Sequence, residues 1–161
     1  MNTRRLLVAL SVVLVSCAAT AQGALGDEAL RTWVANEGAF YLERYAAGEV
    51  QPILDRMADD FLYRDLSGNV AEGPDAYGEL IRGYLAAGAS LTAEGPHRYG
   101  HLADDLTYSI WTWTFTGEGD AVLARGESLY LYRATPDGDW EWAMQYSAPF
   151  LPAPQAGAGQ P

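Results

Sequence analysis

The chain has 161 residues, with 21 acidic side chains against ten arginines, two histidines and no lysine, and a formal net charge of −11 at pH 7. That length allows one domain with a real core and excludes two. So acidic a surface repels nucleic acid and anionic lipid headgroups, which leaves neutral, apolar or cationic partners.

Arg4 and Arg5 precede an apolar run from Leu6 to Val15, broken only by Ser11, and small residues follow from Ser16 to Ala21. This order predicts an export signal peptide over residues 1–16. The run is too short to span a bilayer, which takes about 20 helical residues. Two cleavage sites overlap. Ala19-Thr20-Ala21 suits an ordinary signal peptidase, whereas Leu14-Val15-Ser16-Cys17 resembles the lipobox of bacterial lipoproteins, in which the cysteine is acylated. Cys17 is the only cysteine, so it cannot form an internal disulfide, and lipidation accounts for its presence. The expected address is the periplasm or cell envelope, with membrane attachment through Cys17. Cutting before Cys17 leaves 8 Arg against 21 acidic residues, a charge of −13. Residues 17–26 read as a linker, 27–150 as the folded domain and 151–161, rich in Pro, Gly and Ala, as a disordered tail.

Within the domain, Asp27 reads as an N-cap, and Leu30, Trp33, Val34, Tyr41 and Tyr45 recur at helical spacing, predicting a long helix over 28–47 stopped by Gly48. Pro52 opens a short second helix through Met57. Phe61 to Asp65 alternates as a short strand closed by Ser67-Gly68-Asn69. Pro74 opens a third helix, striped by Tyr77, Leu80, Ile81, Tyr84 and Leu85 and stopped at Gly88. From residue 90 the period becomes two. A weak strand over 91–100 is broken by Gly95-Pro96, and clear strands cover 106–116, 122–133 and 139–147, joined by turns at 117–120 and 136–138. Three helices followed by a meander predict an α+β fold, with the helices on one face of a curved, mostly antiparallel sheet.

Met57-Ala58-Asp59-Asp60 before a short strand, Gly73 before the third helix and Asp137-Gly138-Asp139-Trp140 in the last hairpin together resemble the nuclear transport factor 2-like superfamily over nearly all of 28–148. The resemblance implies a cone: a strongly bent sheet wrapped around helices, with a pocket between sheet and first helix. It also implies membership of a group holding ketosteroid isomerases, cyclases, dehydratases and many proteins without chemistry, so fold does not settle function. Matched to ketosteroid isomerase, the oxyanion-donating tyrosine falls on Tyr41 and the general-base aspartate on Asp65. The second oxyanion donor, an Asp in that enzyme, falls on Tyr130 here. The implied pocket takes in Tyr41, Tyr63, Asp65, Ser128, Tyr130 and Gln145. Two readings of Asp65 stay open. A poorly solvated Asp65 could act as a base; equally, an aspartate opening Asp-Leu-Ser-Gly accepts backbone hydrogen bonds in a turn.

His97 and His101 lie four apart around Gly100, a spacing that does not hold a metal on a broken strand, and the reading calls for no metal and no cofactor. Counting from the last turn puts Ala143, Gln145 and Ser147 toward the pocket and Trp140, Trp142, Met144 and Tyr146 away from it. On the preceding strand Ser128, Tyr130 and Tyr132 point inward. The leading functional reading is a non-catalytic envelope protein whose pocket binds a small, largely apolar molecule. The alternatives are an isomerase-, cyclase- or dehydratase-like enzyme using Asp65 and Tyr41, with Tyr130 as the further donor, and a module that assembles as a homodimer or with another envelope protein.

Overall fold

The computed structural model describes residues 26–150, so the expected signal peptide, Cys17, most of the expected linker and the expected tail lie outside the described residues. Helix α1 (Asp27–Ala47) buries Leu30, Val34, Glu37, Tyr41 and Tyr45 along one face. Asp27, expected at the cap, is instead the first helical residue and Gly26 the cap. The helix ends at Gly48, whose φ of 72° lies in the left-handed region, and the Gly48 N–H bonds Tyr45 O.

Helix α2 (Val50–Leu54) begins and ends earlier than Pro52–Met57, because Met57 already pairs with Trp142 in the sheet. Strand β1 (Met57–Asp65) therefore starts four residues before the expected Phe61. Strand β2 (Val70–Glu72) returns from the Ser67-Gly68-Asn69 turn and pairs antiparallel with β1; three residues are too few for their period to show in sequence. Helix α3 (Gly73–Ala86) follows, with Pro74 in its first turn.

The remaining strands are β3 (Ser90–Ala103), β4 (Leu106–Thr116), β5 (Val122–Ala134) and β6 (Trp140–Phe150). Gly95-Pro96 does not end β3. The β3–β4 register shifts between Glu94 and Arg98, so the two residues sit in a bulge and the pairing resumes beyond it. The order is β2-β1-β6-β5-β4-β3, with β1–β6 parallel and all other neighbours antiparallel. The α+β expectation of three helices on a curved, mostly antiparallel sheet is what the structure has.

The core forms where α1, α2 and α3 meet the inner face of the sheet, around Leu30, Val34, Ile53, Leu54, Phe61, Tyr77, Ile81, Tyr132 and Trp142. Gly38 lets α1 approach β4: a Cβ there would stand 2.4 Å from the Trp111 ring. No described helix is long and apolar enough to cross a membrane.

Candidate functional site

Odd-numbered residues of β4 face the helices, bringing Trp111, Trp113 and Phe115 inward; on β5 the inward set is Ser128, Tyr130 and Tyr132. On β6, Gln145 and Ser147 are buried as expected, but Trp142 is buried too, against the expectation that it points away. The register explains this correction. Leu131 pairs with Met144 and the next residue, Tyr132, with Trp142, so Ala143 is an extra residue on β6 that reverses the side-chain alternation. Trp140, also expected to point away, packs against the core beside Trp33, ring centroids 6.1 Å apart.

The side chains so gathered enclose two small adjoining voids. One, of about 50 Å³, is bordered by Tyr63, Tyr77, Tyr84, Phe115, Gln145 and Ser147 among others. The second, of about 30 Å³, lies against Gly38, Trp111, Tyr132 and Trp142. Tyr41, Leu91, Trp113 and Tyr130 border both and form the partition between them. Together the voids hold only a few waters, a water's share of liquid volume being about 30 Å³. Tyr84 is both a wall of the first void and 37 % exposed, and it stacks on Phe115 at 4.6 Å, so it stands between void and solvent. A wider groove of about 580 Å³ lies outside the cone beside Trp33 and Trp140, but it is open to solvent and its Arg56 and Glu141 are held in ion pairs. The interior is the better candidate site because aromatic walls and convergent neutral polar groups meet there.

Those polar groups form one chain. Tyr77 has a single proton and donates it to Gln145 Oε1 at 2.6 Å, so in the 3.2 Å contact between hydroxyls Tyr41 is the donor and Tyr77 the acceptor. Gln145 Nε2 donates to Ser128 Oγ at 3.3 Å and Ser147 Oγ at 3.1 Å, and the two serines bond each other at 2.7 Å. Burial pushes the hydroxyls of Tyr41, Tyr63, Tyr77 and Tyr130 well above the usual tyrosine range, so all four stay neutral.

Of the residues expected in the pocket, Tyr41, Tyr63, Tyr130 and Gln145 border a void, and Ser128 lies behind Gln145 without bordering one. Asp65 borders neither. Its carboxylate accepts the Asn69 N–H at 2.9 Å and the Asn69 side-chain amide at 2.7 Å, with the Tyr63 hydroxyl at 3.4 Å. Partial burial pulls the Asp65 carboxyl upward, but the bonds from Asn69, the Ser67 backbone and Tyr63 outweigh it and hold the group below its ordinary value. A base for carbon acids is tuned in the opposite direction. Asp65, placed by resemblance as a base and a pocket residue, is thus the anchor of a turn at the cavity's edge.

Tyr77 and Trp113 were not singled out as site residues. Tyr77 read as part of the apolar stripe of the third helix, and nothing in sequence tells a core tyrosine from one facing a void. His97 Nε2 lies 2.9 Å from Thr112 Oγ1, and the His101 ring lies 6.4 Å from Trp140. Among the described residues, no three of His, Cys, Asp or Glu gather as a metal site.

No family model matches the chain. No curated protein matches it either. Solved structures do. A ketosteroid isomerase-like protein from Erwinia carotovora atroseptica superposes with a TM-score of 0.63 at 18 % identity, over 80 % of this chain and 100 % of that one. A domain of unknown function with a cystatin-like fold from Nostoc punctiforme gives 0.67 at 11 % identity, over 78 % and 80 %. An NTF2-like protein with a cystatin-like fold from Novosphingobium aromaticivorans gives 0.61 at 18 %, over 79 % and 83 %. The fold is that of the nuclear transport factor 2-like proteins. On that fold, this chain's cone is nearly filled by its own aromatic side chains, and neither void is bordered by a charged group.

Proposed function

We propose that this chain is an exported envelope protein whose conical interior binds a small, largely apolar molecule without transforming it. One observation carries the reading: the voids are walled by aromatic rings and neutral hydroxyls, with no carboxylate, histidine or arginine at either. Such walls reward flat, uncharged molecules through buried area and ring stacking. The voids are small, so an occupant larger than a few waters enters by moving a wall ring, and Tyr84, 37 % exposed, is the most exposed of them. The enzyme alternative loses support because Asp65 is tied to Asn69 and its proton affinity is lowered rather than raised.

The test is native mass spectrometry on protein purified from the source envelope, alongside Leu91→Trp, which fills the partition between the voids. Wild type is expected to carry a small-molecule mass increment that the variant lacks. Wild type without any increment, and with no affinity for small neutral aromatics added back, would sink the reading. Export and anchoring are tested by Cys17→Ser and membrane fractionation: a lipoprotein loses its anchor, and a chain cut after Ala21 does not respond.

A second reading is assembly with a copy of itself. It is favoured by the outer face of the sheet, where Leu62, Ile110, Leu129, Leu131, Met144 and Tyr146 are only partly buried and no helix packs, since all three helices lie on the other face. Leu131→Glu should then yield a smaller species in sedimentation. A wild type that is monomeric at high concentration removes this reading.

A further inference from the structure

The groove of about 580 Å³ outside the cone shares no lining residue with the two interior voids, and its chemistry is the reverse of theirs. Trp33 of α1 and Trp140 of β6 supply its aromatic wall. Both indoles are half-buried and seated from behind: Trp33 stands edge-on to Tyr132, centroids 4.9 Å apart, and Trp140 tilts against Trp33 at 6.1 Å.

Around these rings the groove sets four carboxylates, Asp55, Asp137, Asp139 and Glu141, against the single guanidinium of Arg56. That guanidinium is already satisfied, bonding Glu37 Oε1 at 2.8 Å and lying 4.5 Å over the Phe40 ring. Arg133 takes up Glu141 at 2.7 Å together with Asp60 at 2.8 Å. Among the described residues no arginine pairs with Asp55, Asp137 or Asp139, and the chain has no lysine, so a cation that balances them comes from outside. The turn carrying two of the three is pinned, with the Thr135 N–H on Asp139 O at 2.8 Å and the Gly138 N–H on Thr135 O at 3.1 Å.

Two features select the kind of cation. No three acidic or histidine side chains among the described residues come close enough to hold a metal ion, so a small hard cation finds no cage of oxygens. A weakly hydrated organic cation needs none: it covers the indoles, is drawn by their π faces, and feels the surrounding carboxylates through space. We infer that this groove is a second binding site, separate from the interior, whose occupant is a free small molecule bearing an alkylated ammonium group. The uncharged interior and the acidic groove then take different ligands at the same time.

The test uses choline and 3,3-dimethyl-1-butanol, which have the same shape and differ by the charged nitrogen. Each is titrated into the full chain at low ionic strength and followed by the indole N–H signals in NMR. Wild type should bind choline roughly tenfold more tightly than the alcohol. The signals of Trp33 and Trp140 should move, and those of Trp111 and Trp113 should stay. Asp137→Asn with Asp139→Asn, both on an exposed turn, should weaken choline several-fold and leave the alcohol unchanged. Glu118→Gln with Asp120→Asn makes the same change of charge at the opposite end of the sheet and should have no effect. Trp140→Leu should weaken both probes. Wild type that binds neither probe, or both equally, overturns the inference. So does a choline preference that survives the Asp137/Asp139 change or is lost equally in the Glu118/Asp120 control. Binding to phosphatidylcholine vesicles without binding to choline would make the groove a membrane contact and overturn it as a small-molecule site.

Discussion

Replacing Tyr77 by Phe removes one oxygen from the middle of the interior chain of hydrogen bonds, and the structure says what is left behind. Tyr77 is 3 % exposed and Gln145 is 6 % exposed. The hydroxyl donates to Gln145 Oε1 and accepts from Tyr41, so its loss orphans one acceptor and one donor, both out of water. Each orphaned buried group costs about 1–3 kcal/mol, which sets the loss for the two at about 2–6 kcal/mol. The Tyr41 hydroxyl has a partial remedy, because the adjoining 50 Å³ void admits a water that could accept its proton. The expected loss is therefore about 2–3 kcal/mol. Tyr41→Phe is the internal control. It removes the donor to Tyr77 and leaves the Tyr77–Gln145 bond intact, so it should cost about 1 kcal/mol or less. Urea unfolding of both variants and wild type, with the slope m unchanged, reads the difference directly. A Tyr77→Phe loss below about 1 kcal/mol, or equal losses for the two variants, would refute the assigned direction of the chain.

Gly38→Ala should destabilise by about 1–3 kcal/mol, because the added Cβ drives into the Trp111 ring and pushes α1 off β4; a melting temperature within error of wild type would contradict the close approach. Burial raises Tyr41, Tyr63, Tyr77 and Tyr130, and raises Tyr45 to about 12. For groups raised in this way, stability is fully present below the unfolded tyrosine value of about 10 and is lost as pH climbs from there through the folded values. The share of tyrosinate absorbance that these five rings supply should therefore rise together with the loss of near-ultraviolet dichroism; all ten tyrosines ionising before unfolding would mean these rings are not sealed. Asp65→Asn should cost about 1 kcal/mol or less and leave affinity for small neutral aromatic probes unchanged, since the carboxylate holds a turn. In wild type that contribution is present above the unfolded carboxyl value and fades as pH falls through the lowered folded one. Loss of probe binding in Asp65→Asn would return this residue to the site.

The helices and long strands were legible because each carries many periods of its pattern: Leu30, Val34, Tyr41 and Tyr45 mark α1, and eleven consecutive residues mark β4. What escaped was local and tertiary. Three residues of β2 cannot display a period, and Met57 reads as the end of a helix until the sheet claims it as the start of β1. In the site, the interior side of β5 was readable from the turn at Pro136-Asp137-Gly138, which fixed Tyr130. The same count failed beyond Ala143, because nothing in Trp-Ala-Met marks an extra residue. Asp65 shows the limit of matching a position. The spacing carried the family's aspartate to it, but Asn69, four residues on, decides what the carboxylate does.

The extra residue in β6 also bears on how the interior could change over time. Because the alternation reverses at Ala143, Gln145 and Ser147 reach the serine and tyrosine hydroxyls while Trp140 and Trp142 reach the apex beside Trp33 and Glu37. One strand thereby lines two compartments of different chemistry, and their phases are set independently. A deletion at 143 would swing the two tryptophans outward and leave the hydroxyl compartment in place, opening the apex as a larger cavity. A single-codon indel could thus resize this binding chamber in one step, where substitution would have to shrink several aromatic residues in turn.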